Sequence, residues 1–541
     1  MIDAVTAIVA IGLVASWLMP VVGSAKRSLH ILQLEEYQTR RFWRWIAANA
    51  AATIDPWIIG AALVVILAQA ITTLPLAVAP AIVAAALGVW QSRTRTAPPA
   101  KKPLVITARV KRLIAGYVVC ALLVAAAITV TVLGASAGAS PALLASALTI
   151  LVLSVLAWPL ASLANLLLFP VEAGFRAYYA RSAAHILRSY APTVVGVAGS
   201  YGKTSTKTFL AHLLAARYAT LATPRSFNTP MGLCRVIREQ LRSEHRFFVA
   251  ELGAYERGEI RQLCRLVHPT IGILTSVGPE HLERFGSMEN VVLAESELFE
   301  ALPPSGYAIV NGGDPLSREI AGQARCTVDV VGGSADDGSV LWAEDVAIAS
   351  TGLRFRLCHR DGWRRSVATR LLGRHNVGNI LLASAAALRC GLDVADLVAA
   401  IESLKPVEHR LELVPNDNGV VVIDDTYNSN PSGAAAALEA LASFAGGRRI
   451  LVTPGMVELA ELQDDVNQAF GQQAAGVCDH VILVGPRRTK AIAAGLAAAG
   501  FDPDRLTVAK SLADATDCLR GLLRPGDAVL FENDLPDNYS E

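Results

Sequence analysis

The sequence is poor in the features that mark several large functional classes. Its eight cysteines (Cys120, Cys234, Cys264, Cys326, Cys358, Cys390, Cys478 and Cys518) are scattered and form no C-x-x-C pair. That excludes a disulfide framework or a cysteine zinc site as the organising feature, and the thiols read as buried groups of a reducing compartment. Lys and Arg number 48 against 47 Asp and Glu, a net charge of +1, so no global field draws in nucleic acid. Internal repeats are absent as well. Charge is scarce most unevenly: the runs 4–22, 57–90, 113–133 and 142–169 contain no Asp, Glu, Lys or Arg.

Those runs are what a bilayer requires, since a crossing helix takes roughly 17–25 apolar residues. Five spans are expected. The first is Ala4 to Val22. Trp57 to Trp90 is broken into a hairpin of two by Thr72-Thr73-Leu74-Pro75. The fourth is Leu113 to Leu133, and the fifth is Ala142 to Phe169 with a kink at Pro159. No basic segment precedes the first span, which therefore reads as a retained anchor rather than a cleaved signal. The loop after span one carries Lys26, Arg27, Arg40, Arg41 and Arg44. The loop after span three carries Arg93, Arg95, Lys101, Lys102, Arg109, Lys111 and Arg112. Basic loops stay in the cytoplasm, which puts the N-terminus outside and delivers the chain after Phe169 to the cytoplasm. These loops serve as topological signals and also suit anionic headgroups or a polyprenyl diphosphate. The stretch from His30 through Trp45 mixes apolar, charged and aromatic residues and suits an interfacial helix.

From Pro192 onward the pattern changes to short β-branched runs alternating with Ala/Leu-rich stretches, the signature of α/β domains with a mostly parallel sheet. Strands are expected at Phe247–Ala250, Ile271–Thr275 and Tyr307–Val310. After a hinge near Lys405-Pro406 come Val420–Ile423, Arg449–Thr453, Val481–Val484 and Ala528–Phe531. The segment Gly332 to Arg364 reads as a β-rich insertion. The fold class is thus a multi-helix transmembrane region followed by two α/β domains. The divisions are 1–170 (transmembrane, about five helices), 171–191 (juxtamembrane linker), 192–405 (central domain) and 406–541 (C-terminal domain).

One run carries chemistry by itself. The apolar strand Thr193–Ala198 leads into Gly199-Ser200-Tyr201-Gly202-Lys203-Thr204-Ser205, and a helix is expected from Ser205 to about Ala216. Backbone N–H groups and a helix N-terminus suit a nucleotide phosphate, Lys203 adds charge, and the Thr204 hydroxyl suits Mg2+. The loop is shorter than a standard Walker A, which would need glycine where Val197 stands.

Further motifs follow in order: Glu251-Leu252-Gly253-Ala254 with Gly258-Glu259-Ile260, His281 through Ser287, Gly373-Arg374-His375-Asn376-Val377-Gly378-Asn379, and Asp424-Asp425-Thr426-Tyr427-Asn428-Ser429-Asn430-Pro431. Together with the loop at Gly199, they resemble the Mur ligase family from about Pro192 to the C-terminus. The resemblance implies a central phosphate-loop domain, a Rossmann-like C-terminal domain, and ATP- and Mg2+-dependent amide bond formation. In that chemistry a carboxylate takes the γ-phosphate and an amine attacks the acyl phosphate, while the protein positions reactants and neutralises charge. It further implies a nucleotide site of Gly199, Ser200, Gly202, Lys203, Thr204, Ser205, Asn376 (near the adenine), Arg410 and Asp425. The implied metal ligands are Thr204, Glu251 and His281, and the implied catalytic set is Lys203, Glu251, His281, Arg410 and Asp425. Asn428 and Asn430 are expected to shape the turn before the next helix, with Pro431 in its first turn.

Three departures from the family pattern matter. Glu295 stands where family members carry a carbamoylated lysine, and its carboxylate is expected to take that metal role; the alternative inward acid is Glu297. The family's N-terminal domain, which grips the UDP-linked precursor, is replaced by the membrane segment, which suits a polyprenyl-linked acceptor presented at the inner face of the cell membrane. The C-terminal run Phe531 to Asp537 differs from the family pattern, so its acids either recognise an ammonium group or form a polar tail. The expected partners are ATP, an amino-acid or dipeptide amine, a carboxylate-bearing envelope precursor and the membrane, without nucleic acid. A ligase for another polymer such as poly-γ-glutamate and a non-catalytic nucleotide-binding membrane protein remain alternatives. A transporter is disfavoured because the spans carry almost no charge.

Overall fold

The computed structural model describes residues 21–53, 103–135, 141–415 and 418–535. The chain divides into two compact units, one ending at Arg176 and one running from Ala177 to Pro536.

The first unit is helical. Residues 21–34 are helical, followed by Thr39–Ala48, Ala108–Ala135, Pro141–Val155 and the helix Ala157–Tyr190 as far as Arg176. Two helices among the described residues, Ala108–Gly134 and Ala157–Tyr190, are long and apolar enough to cross a membrane. The expected spans 4–22 and 57–90 lie outside the described residues, apart from residues 21 and 22. The expected span Leu113–Leu133 lies within Ala108–Ala135. The expected span Ala142–Phe169 is two helices that break at Leu156. Pro159 has no N–H to give the carbonyl of Val155, and it sits in the first turn of the second helix, where that loss is tolerated. The segment 171–191, expected to be a linker, is helical as far as Tyr190. Phe42, Trp158, Leu32 and Leu160 are buried in this unit's core, and Trp45 stacks on Trp158 at 5.6 Å.

The second unit is α/β with two sheets. The first holds β1 (Thr193–Ala198), β2 (Thr220–Ala222), β3 (Phe247–Glu251), β4 (Ile271–Leu274), β5 (Tyr307–Asn311), β6 (Thr327–Val331), β7 (Leu341–Ala349), β8 (Gly352–His359) and β9 (Arg364–Thr369). Their order is β2-β3-β1-β4-β5-β6-β7-β8-β9. Pairing is parallel from β2 through to β7 and antiparallel across β7, β8 and β9. The β-rich insertion is therefore an antiparallel extension of the main sheet. Val195, Val197 and Ile273 face one buried layer of this sheet, and Val194, Phe248 and Leu274 face the other. Burial on both faces is why these strands read as unbroken apolar runs.

The second sheet runs β10 (Glu412–Val414), β11 (Val421–Asp425), β15 (Ala528–Glu532), β12 (Arg449–Thr453), β13 (His480–Val484) and β14 (Leu506–Ala509). Only β10 is antiparallel to its neighbour. In both sheets consecutive strands are separated by an intervening one, β1 between β3 and β4, and β15 between β11 and β12. Ligands of open α/β sheets bind at such reversals, beyond the carboxyl ends of the strands.

Candidate active site

The loop leaving β1 sits at the first reversal. Gly199 has φ 120° and Gly202 φ 83°, conformations that glycine adopts at little cost. Side chains are also excluded by contact: a Cβ at Gly202 would lie 2.5 Å from Oδ1 of Asn379, and one at Gly199 2.2 Å from Oγ1 of Thr275. The loop is clamped from outside, because Ser200 N–H donates to the Ser276 carbonyl at 2.6 Å and Ser200 Oγ accepts from Gly278 N–H at 3.0 Å. The helix Lys203–Ala215 starts directly from the loop, two residues before the expected start. Thr204 is half-buried in its first turn and Ser205 is buried beneath it.

Lys203 folds back over this loop. Its Nζ donates to the carbonyls of Gly199 (2.6 Å) and Ser200 (2.7 Å) and to the carboxylate of Glu280 (2.8 Å). Burial opposes its charge, but Glu280 and Glu295 more than offset this and hold its pKa above the ordinary lysine value. Glu295 is buried, and its Oε2 accepts the Gly199 N–H at 2.7 Å. Burial raises its pKa to about 7, against the pull of Lys203 and of that hydrogen bond. Glu297, the alternative, instead caps the helix Glu259–Val267 by accepting from Gly258 N–H (2.7 Å) and Arg261 N–H (3.0 Å).

Glu251 is the last residue of β3 rather than the first after it. Its buried carboxylate pairs with Lys207 at 2.9 Å and accepts from Asn228 Nδ2 at 3.3 Å. His281 lies at φ 52° before the short helix Leu282–Phe285. Its Nδ1 is hydrogen-bonded to Glu458 of the C-terminal domain, its ring packs 4.5 Å from Tyr255, and its Nε2 is 3.8 Å from Glu280. His281 and Arg284 hold the Glu458 pKa below the ordinary glutamate value although burial pushes it up. Asn376 is buried behind the loop: its Nδ2 donates to the Leu372 carbonyl at 2.8 Å and its Oδ1 accepts from Asn379 at 3.1 Å. Asn379 in turn accepts from Thr206 at 3.3 Å. Asn376 therefore supports the loop from below through Asn379.

The second reversal holds the remaining residues. The Arg410 guanidinium lies 4.4 Å over the Tyr427 ring. Buried Nε of Arg410 and Nδ1 of His375 have no hydrogen-bond partner. Asp425 accepts from Leu411 N–H at 3.1 Å and lies beside Glu532 in the parallel register. Burial and Glu532 raise the Asp425 pKa to about 7, with Arg410 opposing. Burial likewise raises Glu532 to about 7. Glu532 bonds Ser429 and Thr453, and Asn533 reaches Ser429 N–H and the Gly455 carbonyl. These two residues line the site and are not part of a polar tail. Asn430 caps the helix Pro431–Ala442 through Gly433 N–H at 2.8 Å, with Pro431 in the first turn.

The site thus forms two groups: Lys203, Glu295 and Glu280 around the loop with Glu251 and Lys207 alongside, and Arg410, Asp425 and Glu532 on the C-terminal sheet. Asn428 bridges them by donating to Glu280 at 3.4 Å, as do Ser226 with Tyr427 and His281 with Glu458. Among the described residues no three His, Cys, Asp or Glu side chains form a metal cage. Sequence reasoning missed Glu280, Lys207, Asn379 and Glu458, and it left Glu532 between two roles. Three of these had a signal: Lys207 is one helical turn from Lys203, Asn379 is three residues from Asn376 on one helix face, and Glu280 adjoins His281.

The model of the Mur ligase middle domain matches residues 197–387, and that of the Mur ligase glutamate ligase domain matches 409–532. The UDP-N-acetylmuramoyl-tripeptide–D-alanyl-D-alanine ligase of Mycobacterium tuberculosis is 35% identical over 364 residues, covering 63% of this chain and 70% of that one. The chain belongs to the Mur ligase family. It is an ATP-dependent ligase that forms amide bonds. The ligase of the same description from Escherichia coli is 32% identical over 314 residues, covering 57% of this chain and 68% of that protein. The structure of MurF from Acinetobacter baumannii superposes with a TM-score of 0.60 at 28% identity, covering 66% of this chain and 77% of that one.

Proposed function

We propose that this Mur ligase is a membrane-seated counterpart of MurF. It activates a carboxylate of a peptidoglycan or related envelope precursor as an acyl phosphate and joins it to an amine such as D-alanyl-D-alanine. The observation that carries this reading is the glycine loop at the end of β1, with Lys203 and three acids gathered at the sheet reversal. The similarity to ligases whose names specify D-alanyl-D-alanine supports the choice of amine. The two long apolar helices support a membrane seat, and the distribution of basic residues in the sequence favours five spans with both α/β domains in the cytoplasm. A membrane seat favours an acceptor already carried on a lipid.

The residues present fit ATP. The glycine loop runs straight into the N-terminus of the helix Lys203–Ala215, which suits an anion, Lys203 supplies charge, and the partnerless Nε of Arg410 is a donor awaiting an acceptor. The donor set also fits Mg2+, which takes oxygen ligands and keeps several waters, so it needs only one or two carboxylates beside the substrate phosphates and no full cage. Thr204, Glu251, His281 and Glu295 would surround it, and when bound it would neutralise charge on the transferred phosphate. To admit phosphate, Lys203 leaves the carbonyls of Gly199 and Ser200, and Glu295 yields the Gly199 N–H. Arg410 and Asp425 complete the site from the C-terminal domain when it closes.

The test is ADP release by the detergent-purified chain given D-alanyl-D-alanine with either a UDP-linked muramoyl peptide or its polyprenyl-linked form. Turnover with the lipid-linked acceptor alone supports the full reading. Turnover with the soluble acceptor reduces the membrane region to an anchor. ATP binding without turnover on either, combined with a ladder of products on a polyglutamate acceptor, replaces the reading.

A further inference from the structure

Within the first unit, one cluster of charge is left unused by the ligase chemistry. The helix Ala108–Ala135 begins with Arg109, Lys111 and Arg112 and is then uncharged to its end. The helix Ala157–Tyr190 is uncharged until Glu172, after which Arg176 follows. Arg112 Nε donates to Glu172 Oε1 at 2.7 Å, and this pair fixes the antiparallel register of the two helices. It brings the end of both apolar stretches to one level, the level of a membrane surface.

At that level several arginines gather around a buried carboxylate. Glu172 is buried, with 8% of its surface exposed, and faces Arg112 and Arg109, with Arg176 one helical turn further along its own helix. Arg112 takes one of its oxygens, and Arg109 Nε stays 3.9 Å from the other, beyond hydrogen-bond length. Arg176 and Arg112 both repel Arg109. Each guanidinium lies over an aromatic ring: Arg109 over Tyr37 at 3.7 Å, Arg112 over Phe175 at 4.6 Å and Arg176 over Phe169 at 5.6 Å. Tyr37 is held in turn, because Asn165 Nδ2 donates to its carbonyl at 3.0 Å. Stacking engages the face of a guanidinium and leaves its planar edge of N–H donors turned outward, the geometry that grips phosphate oxygens in pairs. Among the described residues, Arg109 and Arg176 donate no hydrogen bond.

We infer that Arg109 and Arg176, set by the Arg112–Glu172 pair, form a binding site for a phosphate or diphosphate group borne on a lipid chain. Arg109 and Arg176, which donate no hydrogen bond among the described residues, carry two positive charges that a diphosphate or two phosphates would neutralise. The apolar helix surfaces below, with Leu166, Leu167 and Phe169 exposed, suit the hydrocarbon chain. This site gives the membrane region a substrate-holding part and rests on the membrane-seated reading above.

The test is equilibrium binding of farnesyl diphosphate to the full-length protein in nanodiscs of neutral phospholipid, without ATP or amine, so that its failure leaves the ligase reading untouched. Wild type should bind, and farnesol should not. Arg109→Ala and Arg176→Ala should each weaken binding by about tenfold or more, the usual effect of losing a charged hydrogen bond. Arg176 is exposed, so its loss leaves the fold intact, and Arg109→Lys, which keeps the charge but not the fork, should bind less well than wild type. Lys111→Ala, at an exposed neighbouring position, should bind as wild type does. Competition by nanodiscs made with phosphatidylglycerol assigns the site to bulk anionic headgroups, and lack of competition assigns it to an isoprenyl diphosphate; either supports a lipid-phosphate site. Unchanged binding in both alanine variants, or equal binding of farnesol, overturns it.

Discussion

Glu295→Gln separates charge from shape at the centre of the loop. The amide keeps an oxygen that can accept the Gly199 N–H, and only the negative charge is lost. In the folded protein burial raises the Glu295 pKa from 4.5 to about 7. The folded state therefore binds the proton more tightly than the unfolded state. Between pH 4.5 and about 7 it holds more protons, so stability falls as pH rises through that window. At about 1.4 kcal/mol for each pH unit, the cost reaches about 3 kcal/mol above pH 7. Glutamine does not ionise and escapes it. The variant should match wild type near pH 4 and be more stable by about 3 kcal/mol at pH 8. Native-state hydrogen exchange at the β1 and β3 amides, with no nucleotide present, reads this locally. Turnover should move the other way, falling by about a hundredfold if the carboxylate helps to hold Mg2+. A variant that is less stable than wild type at every pH would refute the burial argument, and one with full activity would refute the metal role.

Lys203→Ala removes the charge poised over the loop and should abolish both ATP hydrolysis and coupling in an ADP-release assay. Asp425→Ala should lower turnover more than ATP affinity, because the residue belongs to the C-terminal domain; steady-state kinetics with unchanged turnover would count against domain closure. Gly202→Ala should weaken nucleotide binding, since its Cβ meets Asn379 at 2.5 Å. Adding Asn379→Ala should restore part of the affinity by calorimetry, leaving about 1 kcal/mol from the left-handed backbone. Glu458→Ala releases His281 and Arg284 and should make the segment 405–411 more sensitive to protease.

Much of the α/β fold was legible because its strands are buried on both faces and so read as short unbroken apolar runs. The expected strands at 247, 271, 307, 449, 481 and 528 begin within one residue of the observed ones. The glycine loop was legible because positive φ and close contact leave few alternatives to Gly199 and Gly202. The partners of the site residues were not. Glu280 and Glu458 meet Lys203 and His281 only through tertiary folding, at sequence separations of 77 and 177. The run containing Glu532 and Asn533 reads equally as ammonium-binding acids or as a polar tail, because nothing local reveals that β15 lies between β11 and β12. Asn376, expected near adenine, also has a role that the sequence did not reveal: its amide bonds the Leu372 carbonyl and Asn379 and so supports the loop.

The most direct measurement of acyl-phosphate ligation uses an acceptor labelled with heavy oxygen in its carboxylate, incubated with ATP and D-alanyl-D-alanine, with the released phosphate analysed by mass spectrometry. Transfer of one heavy oxygen to phosphate for each amide bond formed is the expected result. Amide formation that leaves phosphate unlabelled, or ATP hydrolysis without any amide, would contradict it.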